Sequence, residues 1–309
     1  MVRVGVFAGS RVMATSLAVT TDVLGAANRV CEQLGRPQPF HVQQGAGSVR
    51  EAAGSLDCLI VPGLGVVSQG ELERALASDE GKLAIETIRM THGVVASSCA
   101  STFLVAEAGV LNGRRATTSW FLAPLFAQRY PAVRLDADQV VAEDGPVITG
   151  GAAMAQMDVM LRVVGRFAGE DVARLCARYL LADERRSQAG YVTLSSFTAS
   201  DAALLKAEAW IRANLSRGEV TVDEIAGACG LHPKTFYRRL LATTGLAPSR
   251  FVQRVRLEVA TDLLRDTQLS VEEVAMRVGY ADASTLRRIV RRELGLSATE
   301  IRSRSRFAA

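Results

Sequence analysis

One cysteine stands where a reactive thiol would be expected. Cys99 lies in the stretch SSCAS, directly after the apolar run Val94–Ser98 and directly before a helical pattern. A strand that passes at once into a helix makes a sharp turn, from which a side chain projects, and the helix N-terminus lowers the pKa of a thiol placed there. The pattern predicts a nucleophile elbow. Because cysteine is also among the most buried residue types, an inert packing thiol is the alternative.

A second chemical pattern is an internal repeat near the C-terminus. The stretch TVDEIAGACGLHPKTFYRRLLATTGL starts at Thr221, and SVEEVAMRVGYADASTLRRIVRRELGL starts at Ser270. In each copy the hydroxyl residue is followed three positions later by Glu, which is typical of a capping box at a helix N-terminus. Gly230 or Gly279 then supplies the left-handed backbone that ends the first helix. A second helix follows in each copy, and a further glycine ends it.

The second helix of each copy presents hydrogen-bond donors opposite an apolar face. Phe236 and Leu240, like Leu286 and Val290, are four residues apart and are expected to face inward. Arg pairs bidentately with guanine, and Arg, Lys and helix N-termini hold phosphates. The residues expected to contact DNA are Lys234, Thr235, Tyr237, Arg238, Ser284, Arg287, Arg288 and Arg291.

The charge distribution agrees with this interpretation. Residues 204–309 hold 18 Lys and Arg against 12 Asp and Glu, whereas the rest of the chain holds 18 against 20. A basic segment on a slightly acidic body is what a phosphate-binding surface requires. Two helix-turn-helix units about fifty residues apart, joined by a long helix, predict a protein that binds double-stranded promoter or operator DNA.

The elements before the repeat predict an α/β domain. Strand patterns lie at Val2–Ala8, Asp57–Pro62 and Val94–Ser98, with weaker ones near Gln139–Ala142 and Val147–Thr149. Helical patterns alternate with these strands. The first ends with the stretch VLGAANRVCEQL, and the others lie near residues 80–91, 101–109 and 152–167. Such alternation predicts a doubly wound, mostly parallel, flavodoxin-like sheet, followed by an all-α domain.

Composition and a stretch without helix or strand periodicity complete the prediction of domains. The polar stretch DERRSQAGYVTLSSFTA has neither helix nor strand period. The predicted domains are therefore 1–183, a linker 184–203, and a DNA-binding domain 204–309. No run of eighteen apolar residues and no signal peptide is apparent, which favours a cytoplasmic protein without membrane association. Five cysteines without CxxC spacing and three scattered histidines favour neither a disulfide framework nor a metal site, and no cofactor is predicted.

The C-terminal part resembles the AraC/XylS family of regulators over Leu204–Arg306. The stretches LHPKTFYRRL and VGYADAS carry this resemblance, which implies that Pro248–Thr267 includes a rigid linker helix between the two reading units. The family usually has aromatic residues where Leu286 and Val290 stand. The smaller side chains predict a second unit that is less tightly packed.

The N-terminal part resembles PfpI and class I glutamine-amidotransferase-like domains, and most of all GlxA-type regulators. The stretches SSCASTFLVAEAGVLNGRRATTSW and LIVPG carry the resemblance over about residues 2–181. Enzymatic relatives have a His after the cysteine or in a later T-T-H-W stretch, and an acid in the first β–α segment. This chain has Ala100, Ser119 and Ser16 at those places, so no catalytic residues are predicted.

A small-molecule effector pocket at the former active site is the favoured interpretation of this domain. Pockets gather at the carboxyl ends of parallel strands, where five residues should meet: Gly63, Ser98, Cys99, Ser119 and Trp120. The sequence therefore predicts a transcription regulator, not an enzyme, whose first domain forms a homodimer and binds a metabolite. Two alternatives remain open: a cysteine-dependent amidase or glyoxal-processing enzyme, and a regulator controlled by oxidation of Cys99.

Overall fold

The computed structural model describes residues 1–66, 68–183, 185, 187–188, 194, 198 and 201–305. The chain divides into two units, Met1–Gln188 and Ala189–Ala309.

The first unit is built on a six-stranded sheet. Its strands are β1 (Val2–Val6), β2 (Phe40–Gln44), β3 (Cys58–Val61), β4 (Val94–Ser98), β7 (Val141–Asp144) and β8 (Val147–Gly150), in the order β2-β1-β3-β4-β8-β7. Neighbouring strands are parallel except β7 and β8, which form an antiparallel pair. A separate two-stranded parallel sheet joins β5 (Arg115–Ala116) to β6 (Arg134–Leu135). The predicted mostly parallel α/β fold is confirmed.

Helices cover both faces of the large sheet. One face packs against α1 (Ala14–Gln33), α7 (Ala155–Ala168) and α8 (Glu170–Tyr179). The other carries α2 (Ala46–Ala52), α3 (Gln69–Ala77), α4 (Asp79–Met90), α5 (Thr102–Glu107) and α6 (Ala123–Arg129). Successive strand residues alternate between the two cores, so that Ile60 belongs to the first and Leu59 to the second, both completely buried. This arrangement places the ends of β3 and β4 side by side.

Some elements of the first unit differ from the sequence-based expectation. The strand expected near Gln139–Ala142 lies at Val141–Asp144 and turns back at Gly145, where φ is +63°. Strand β2, with the polar sequence FHVQQ, and helix α8 were not predicted. Because β2 is at the edge of the sheet, its side chains need not all be apolar.

The second unit is helical over its described residues. Its helices are α9 (Ala202–Asn214), α10 (Val222–Ala228), α11 (Pro233–Thr244), α12 (Pro248–Asp266), α13 (Val271–Arg277), α14 (Ala283–Leu294) and α15 (Ala298–Ser305). Helices α10 and α11 form the first copy of the repeat, and α13 and α14 form the second. Each copy has its own apolar core, and α12 contributes side chains to both.

Some described residues within the predicted linker 184–203 pack into one or the other unit. The Gln188 amide is buried in the first unit and donates to the carbonyl oxygens of Thr118 (2.9 Å) and Ala137 (2.7 Å). Leu194 is completely buried in the second unit. Helix α9 begins at Ala202, not at Leu204, because the Asp201 carboxylate caps it. The cap at Asp201 is local, whereas the contacts of Gln188 join residues distant in sequence, which local patterns do not reveal.

Candidate nucleic-acid interface and the Cys99 site

Both copies of the repeat begin with the same capping box. The Thr221 hydroxyl accepts a hydrogen bond from the backbone N–H of Glu224 at 3.3 Å, and the Glu224 carboxylate accepts one from the backbone N–H of Thr221 at 3.0 Å. Ser270 and Glu273 repeat this exchange at 3.1 and 2.7 Å. The hydrogen bond from the Thr221 N–H lowers the pKa of the Glu224 carboxyl. Each first helix therefore starts at a fixed residue, as the sequence predicts.

Glycines with positive φ end the helices at equivalent positions. After α10 the backbone passes through Gly230 (φ +70°), and after α13 it passes through Gly279 (φ +82°). The second helices end at Gly245 (φ +69°) and Gly295 (φ +70°). Since a side chain disfavours this conformation, glycine at each position fixes the length of the helix and the angle of the turn. The two copies thus share a backbone plan.

The helices α11 and α14 bury one face and expose the other. Phe236 and Leu240 are completely buried, as is Val290, while Leu286 is 1% exposed. Both cores are therefore equally shielded from solvent, and the looser packing expected from the smaller side chains of the second copy stays a prediction. All eight residues expected to contact DNA lie exposed on α11 or α14: Lys234, Thr235, Tyr237, Arg238, Ser284, Arg287, Arg288 and Arg291.

These exposed side chains differ in how they are held. Arg287 pairs with Glu272 at 2.8 Å and Arg291 with Glu300 at 3.4 Å, so each would exchange an exposed ion pair for a phosphate or a base. Within the described part of the chain, Arg238 and Arg288 make no ion pair. They are the arginines whose guanidinium groups are available without breaking another contact.

One arginine of α11 has a structural partner that the sequence does not reveal. Arg239 forms an ion pair with Asp201, the residue that caps α9. The Asp201 side chain is only 10% exposed, whereas Arg239 is 47% exposed. Arg239 therefore fastens α11 to the start of α9, while its neighbour Arg238 stays available.

Cys99 occupies the strained turn that the sequence predicts. Its φ is +55°, in the left-handed region, and it joins β4 to a short 3₁₀ turn that leads into α5. The backbone holds this conformation, since the Cys99 N–H donates to the Gly151 carbonyl at 2.7 Å and its carbonyl accepts from the Thr118 hydroxyl at 2.8 Å. The geometry of a nucleophile elbow is therefore present.

The thiol in this turn is closed off from solvent. Cys99 is 3% exposed, and its Sγ lies 3.1 Å from the Ser119 hydroxyl. Burial raises the pKa of the Cys99 thiol, and the hydrogen bond with Ser119 offsets this only in part. The expectation that the helix N-terminus lowers this pKa is wrong, because loss of solvation outweighs it. The oxidation-controlled alternative needs an accessible thiol with a low pKa, and Cys99 has neither property.

Four of the five residues expected at an effector pocket come together. A Cβ on Gly63 would lie 3.1 Å from the Ser98 hydroxyl and 3.2 Å from the Cys99 Cβ, and Ser119 contacts Cys99 from the other side. The fifth residue, Trp120, is half-buried, and its ring meets Phe121 edge-on at 5.4 Å.

The sequence analysis missed part of this cluster. Ser98 donates to the Gln156 side chain at 2.6 Å, and the Gln156 amide donates to the Thr20 hydroxyl at 2.8 Å. The Ser16 hydroxyl lies 3.0 Å from the same Gly63 Cβ position and is buried without a hydrogen-bond partner among the described residues. These contacts place buried hydroxyl and amide groups around the thiol. Gln156 could not be assigned to this cluster from the sequence, because it lies far from Cys99 along the chain.

The described residues offer neither a metal-binding cluster nor a membrane-spanning helix. No group of three or more His, Cys, Asp or Glu side chains there could hold a metal ion. In that same part of the chain, no helix has the length and apolar character to cross a membrane.

Comparison with known proteins gives matches both to the repeat of the second unit and to longer parts of the chain. Residues 225–304 match the sequence model of a family described as "Helix-turn-helix domain". The HTH-type transcriptional activator RhaS of Klebsiella pneumoniae is 36% identical over 105 residues, which are 34% of this chain and 37% of RhaS. The HTH-type transcriptional regulator CdhR of Pseudomonas aeruginosa is 28% identical over 204 residues, which are 65% of this chain and 60% of CdhR. The chain thus matches less than two thirds of the length of these relatives.

A solved structure also aligns with part of the chain. An AraC family transcriptional regulator from Pseudomonas putida is 20% identical, with a TM-score of 0.46, over 58% of this chain and 100% of that chain. The second unit contains a helix-turn-helix domain, as its two capped helix pairs and the family match show.

Proposed function

We propose that the chain is a sequence-specific DNA-binding transcription regulator. The observation that carries this proposal is the double helix-turn-helix plan, with α11 and α14 each burying an apolar face and exposing basic residues. Arg238 and Arg288 occupy equivalent outward positions on these helices and are available for bases. A protein that reads promoter DNA acts where that DNA lies, and we therefore assign it to the cytoplasm.

Binding of the full chain to a selected operator and to scrambled DNA, across a salt series, tests this function. We expect the affinity for the operator to exceed that for scrambled DNA by about 10³-fold or more. The logarithm of the binding constant should fall linearly with the logarithm of the salt concentration. Equal affinity for operator and scrambled DNA at every salt concentration would contradict sequence-specific reading.

We propose that the first unit is not a cysteine-dependent enzyme. Cys99 has the backbone of a nucleophile elbow, but the side chain that contacts its thiol is Ser119, whose hydroxyl is not a base. A buried thiol with a raised pKa and no adjacent base is a poor nucleophile. Thiol-dependent turnover of amides or glyoxals by the purified protein, abolished by Cys99→Ala, would contradict this.

We propose instead that the cluster around Cys99 receives a small-molecule effector. Support comes from its place at the carboxyl ends of β3 and β4 and from the unpartnered Ser16 hydroxyl beside Gly63. Because Ser98, Cys99 and Ser119 are almost fully buried, the segment after β4 must move for a ligand to enter. A Cβ at position 63 would lie 3.0–3.2 Å from Ser16, Ser98 and Cys99, so Gly63→Ala crowds the cluster with the smallest possible addition. Native mass spectrometry should show a small molecule on the parent chain that a folded Gly63→Ala variant lacks, and a ligand retained by this variant would place the site elsewhere.

We also propose that the chain is a homodimer. One chain already holds two reading helices, and a symmetric pair of chains would recognise paired sites. Light scattering of the full chain, with and without operator DNA, tests this. A monomer at micromolar concentration under both conditions would contradict the proposal.

A further inference from the structure

Helix α12 contributes side chains to the cores of both helix-turn-helix copies. Val255 belongs to the core of the first copy and Leu264 to that of the second. Val259, between them on the same helix, packs against both cores, so the two copies meet along the middle of α12. Contacts made at the middle of α12 therefore decide how α11 and α14 are placed.

Beside the middle of α12, where the Arg256 side chain lies, two other segments of backbone approach each other closely. The turn of the second copy at Gly279 lies against the segment between α9 and α10, so that a Cβ on Gly279 would overlap the Leu215 carbonyl oxygen and lie 3.2 Å from the Gly218 Cα. Glycine at 279 therefore serves two purposes, the left-handed turn and this approach.

Arg256 of α12 stands at the same place and reaches both copies. Its guanidinium donates to the Gly218 carbonyl, before α10, and its Cζ lies 5.4 Å from the centre of the Tyr280 ring, in the turn after α13. A guanidinium over an aromatic face is attracted by the ring. One side chain thus contacts backbone belonging to the first copy and an aromatic ring belonging to the second.

Close packing does not replace this contact. A cavity of about 430 Å³ lies beside it, with Arg256, Tyr280, Gly218, Ile225 and Val252 in its lining. The Arg256 Nε and the Tyr280 hydroxyl are buried without hydrogen-bond partners among the described residues. The bond to Gly218 and the contact with the ring are therefore the interactions by which Arg256 links the two copies. Arg250 adds a longer ion pair from α12 to Glu293 of α14, at 3.5 Å.

We propose that Arg256 is a positioning residue that sets the rotation and distance between α11 and α14, and with them the spacing of the two DNA sub-sites that one chain reads. This inference rests on the proposed function. One added base pair moves the second sub-site by about 3.4 Å and turns it by roughly 35°. If α11 and α14 are held rigidly, they cannot both stay in contact with their sub-sites after such a shift and rotation. If their relative placement is loosened, they can.

The experiment uses the full chain and duplexes that carry both sub-sites of a selected operator, with one base pair inserted or deleted between them. For the parent chain we expect either change to weaken binding about tenfold or more, because at least one base contact is lost. For Arg256→Met we expect weaker binding at the native spacing and differences among the three spacings within about twofold. Arg256→Lys, which keeps a cation able to reach Gly218 and the ring, should restore part of the discrimination.

Two controls separate positioning from general damage. Arg265→Met removes an exposed charge from the same helix and should keep the parental preference for spacing. A duplex in which only the first sub-site is intact should bind Arg256→Met and the parent chain equally, which shows that the first copy is folded.

The outcomes are distinct. Parental spacing discrimination in Arg256→Met, or a parent chain indifferent to spacing, would overturn the positioning role while leaving DNA binding in place. Absence of specific DNA binding by the parent chain would overturn the proposed function itself, and the inference with it.

Discussion

Replacing Arg238 with Ala tests whether α11 enters the major groove. Phe236 and Leu240 are completely buried on the opposite face of α11, so the Arg238 side chain cannot turn inward without burying an unpaired charge. It is exposed and makes no ion pair within the described part of the chain. The substitution should therefore leave the free energy of unfolding within about 0.5 kcal/mol of the parent value.

The same substitution should weaken operator binding markedly. Loss of one bidentate arginine–guanine contact costs about 1–3 kcal/mol, or roughly 5- to 150-fold in Kd. The loss should be confined to the operator and should relax the preference at one or two base positions, because scrambled DNA offers no such contact. Titration of labelled operator and scrambled duplexes at a fixed salt concentration measures both effects.

The neighbouring arginine is the matched control. Arg239→Ala removes the same charge from the same helix, but it also leaves the Asp201 carboxylate, which is 10% exposed, without its partner. We expect Arg239→Ala to lower the free energy of unfolding by about 1 kcal/mol and to keep the base preference. If Arg238→Ala bound the operator as tightly and selectively as the parent, or if only Arg239→Ala relaxed the base preference, the assignment of Arg238 to the groove would be refuted.

Three further results are expected. Burial raises the pKa of the Cys99 thiol, so alkylation of this thiol near pH 8 should be slow in the folded chain and fast after unfolding. Rapid labelling of native Cys99 would contradict this. Cys99→Ala should change operator affinity by no more than a few-fold. Thr221→Ala should cost about 1 kcal/mol in denaturant unfolding, because it removes one half of the capping box with Glu224, and an unchanged midpoint would refute that role. Burial opposes ionisation of Asp201, but hydrogen bonds from Arg239 and from backbone N–H groups outweigh it and lower its pKa. Its stabilisation is therefore present above the unfolded value of about 3.9 and is lost as the pH falls through the lower folded value, so Asp201→Asn should flatten the acid limb of a stability profile.

The features predictable from sequence are those that neighbouring residues determine. The capping boxes at Thr221 and Ser270 and the turns at Gly230 and Gly279 depend on residues within one helical turn. They could be read directly and are observed. The buried strand β3 has a continuous apolar sequence and was found for the same reason.

The features that escaped prediction depend on residues distant in sequence. Local patterns at Cys99 predicted an elbow and left a buried packing thiol as the alternative. They could not decide between the two, because Ser119, which contacts the thiol, comes from another segment of the chain. The ion pair of Arg239 with Asp201 spans 38 positions, and nothing near Arg239 distinguishes it from Arg238. The contact of Arg256 with Gly218 likewise exists only once the fold brings α12 beside the turn.

Guanine methylation interference on the selected operator tests most directly whether one chain contacts DNA bases through both α11 and α14. The account predicts two groups of major-groove guanines on one face of the duplex, about one helical turn or 34 Å apart. It also predicts that Arg238→Ala abolishes interference in one group only and Arg288→Ala in the other only. A single group of guanines, or two groups that respond alike to both substitutions, would contradict the reading of DNA by α11 and α14.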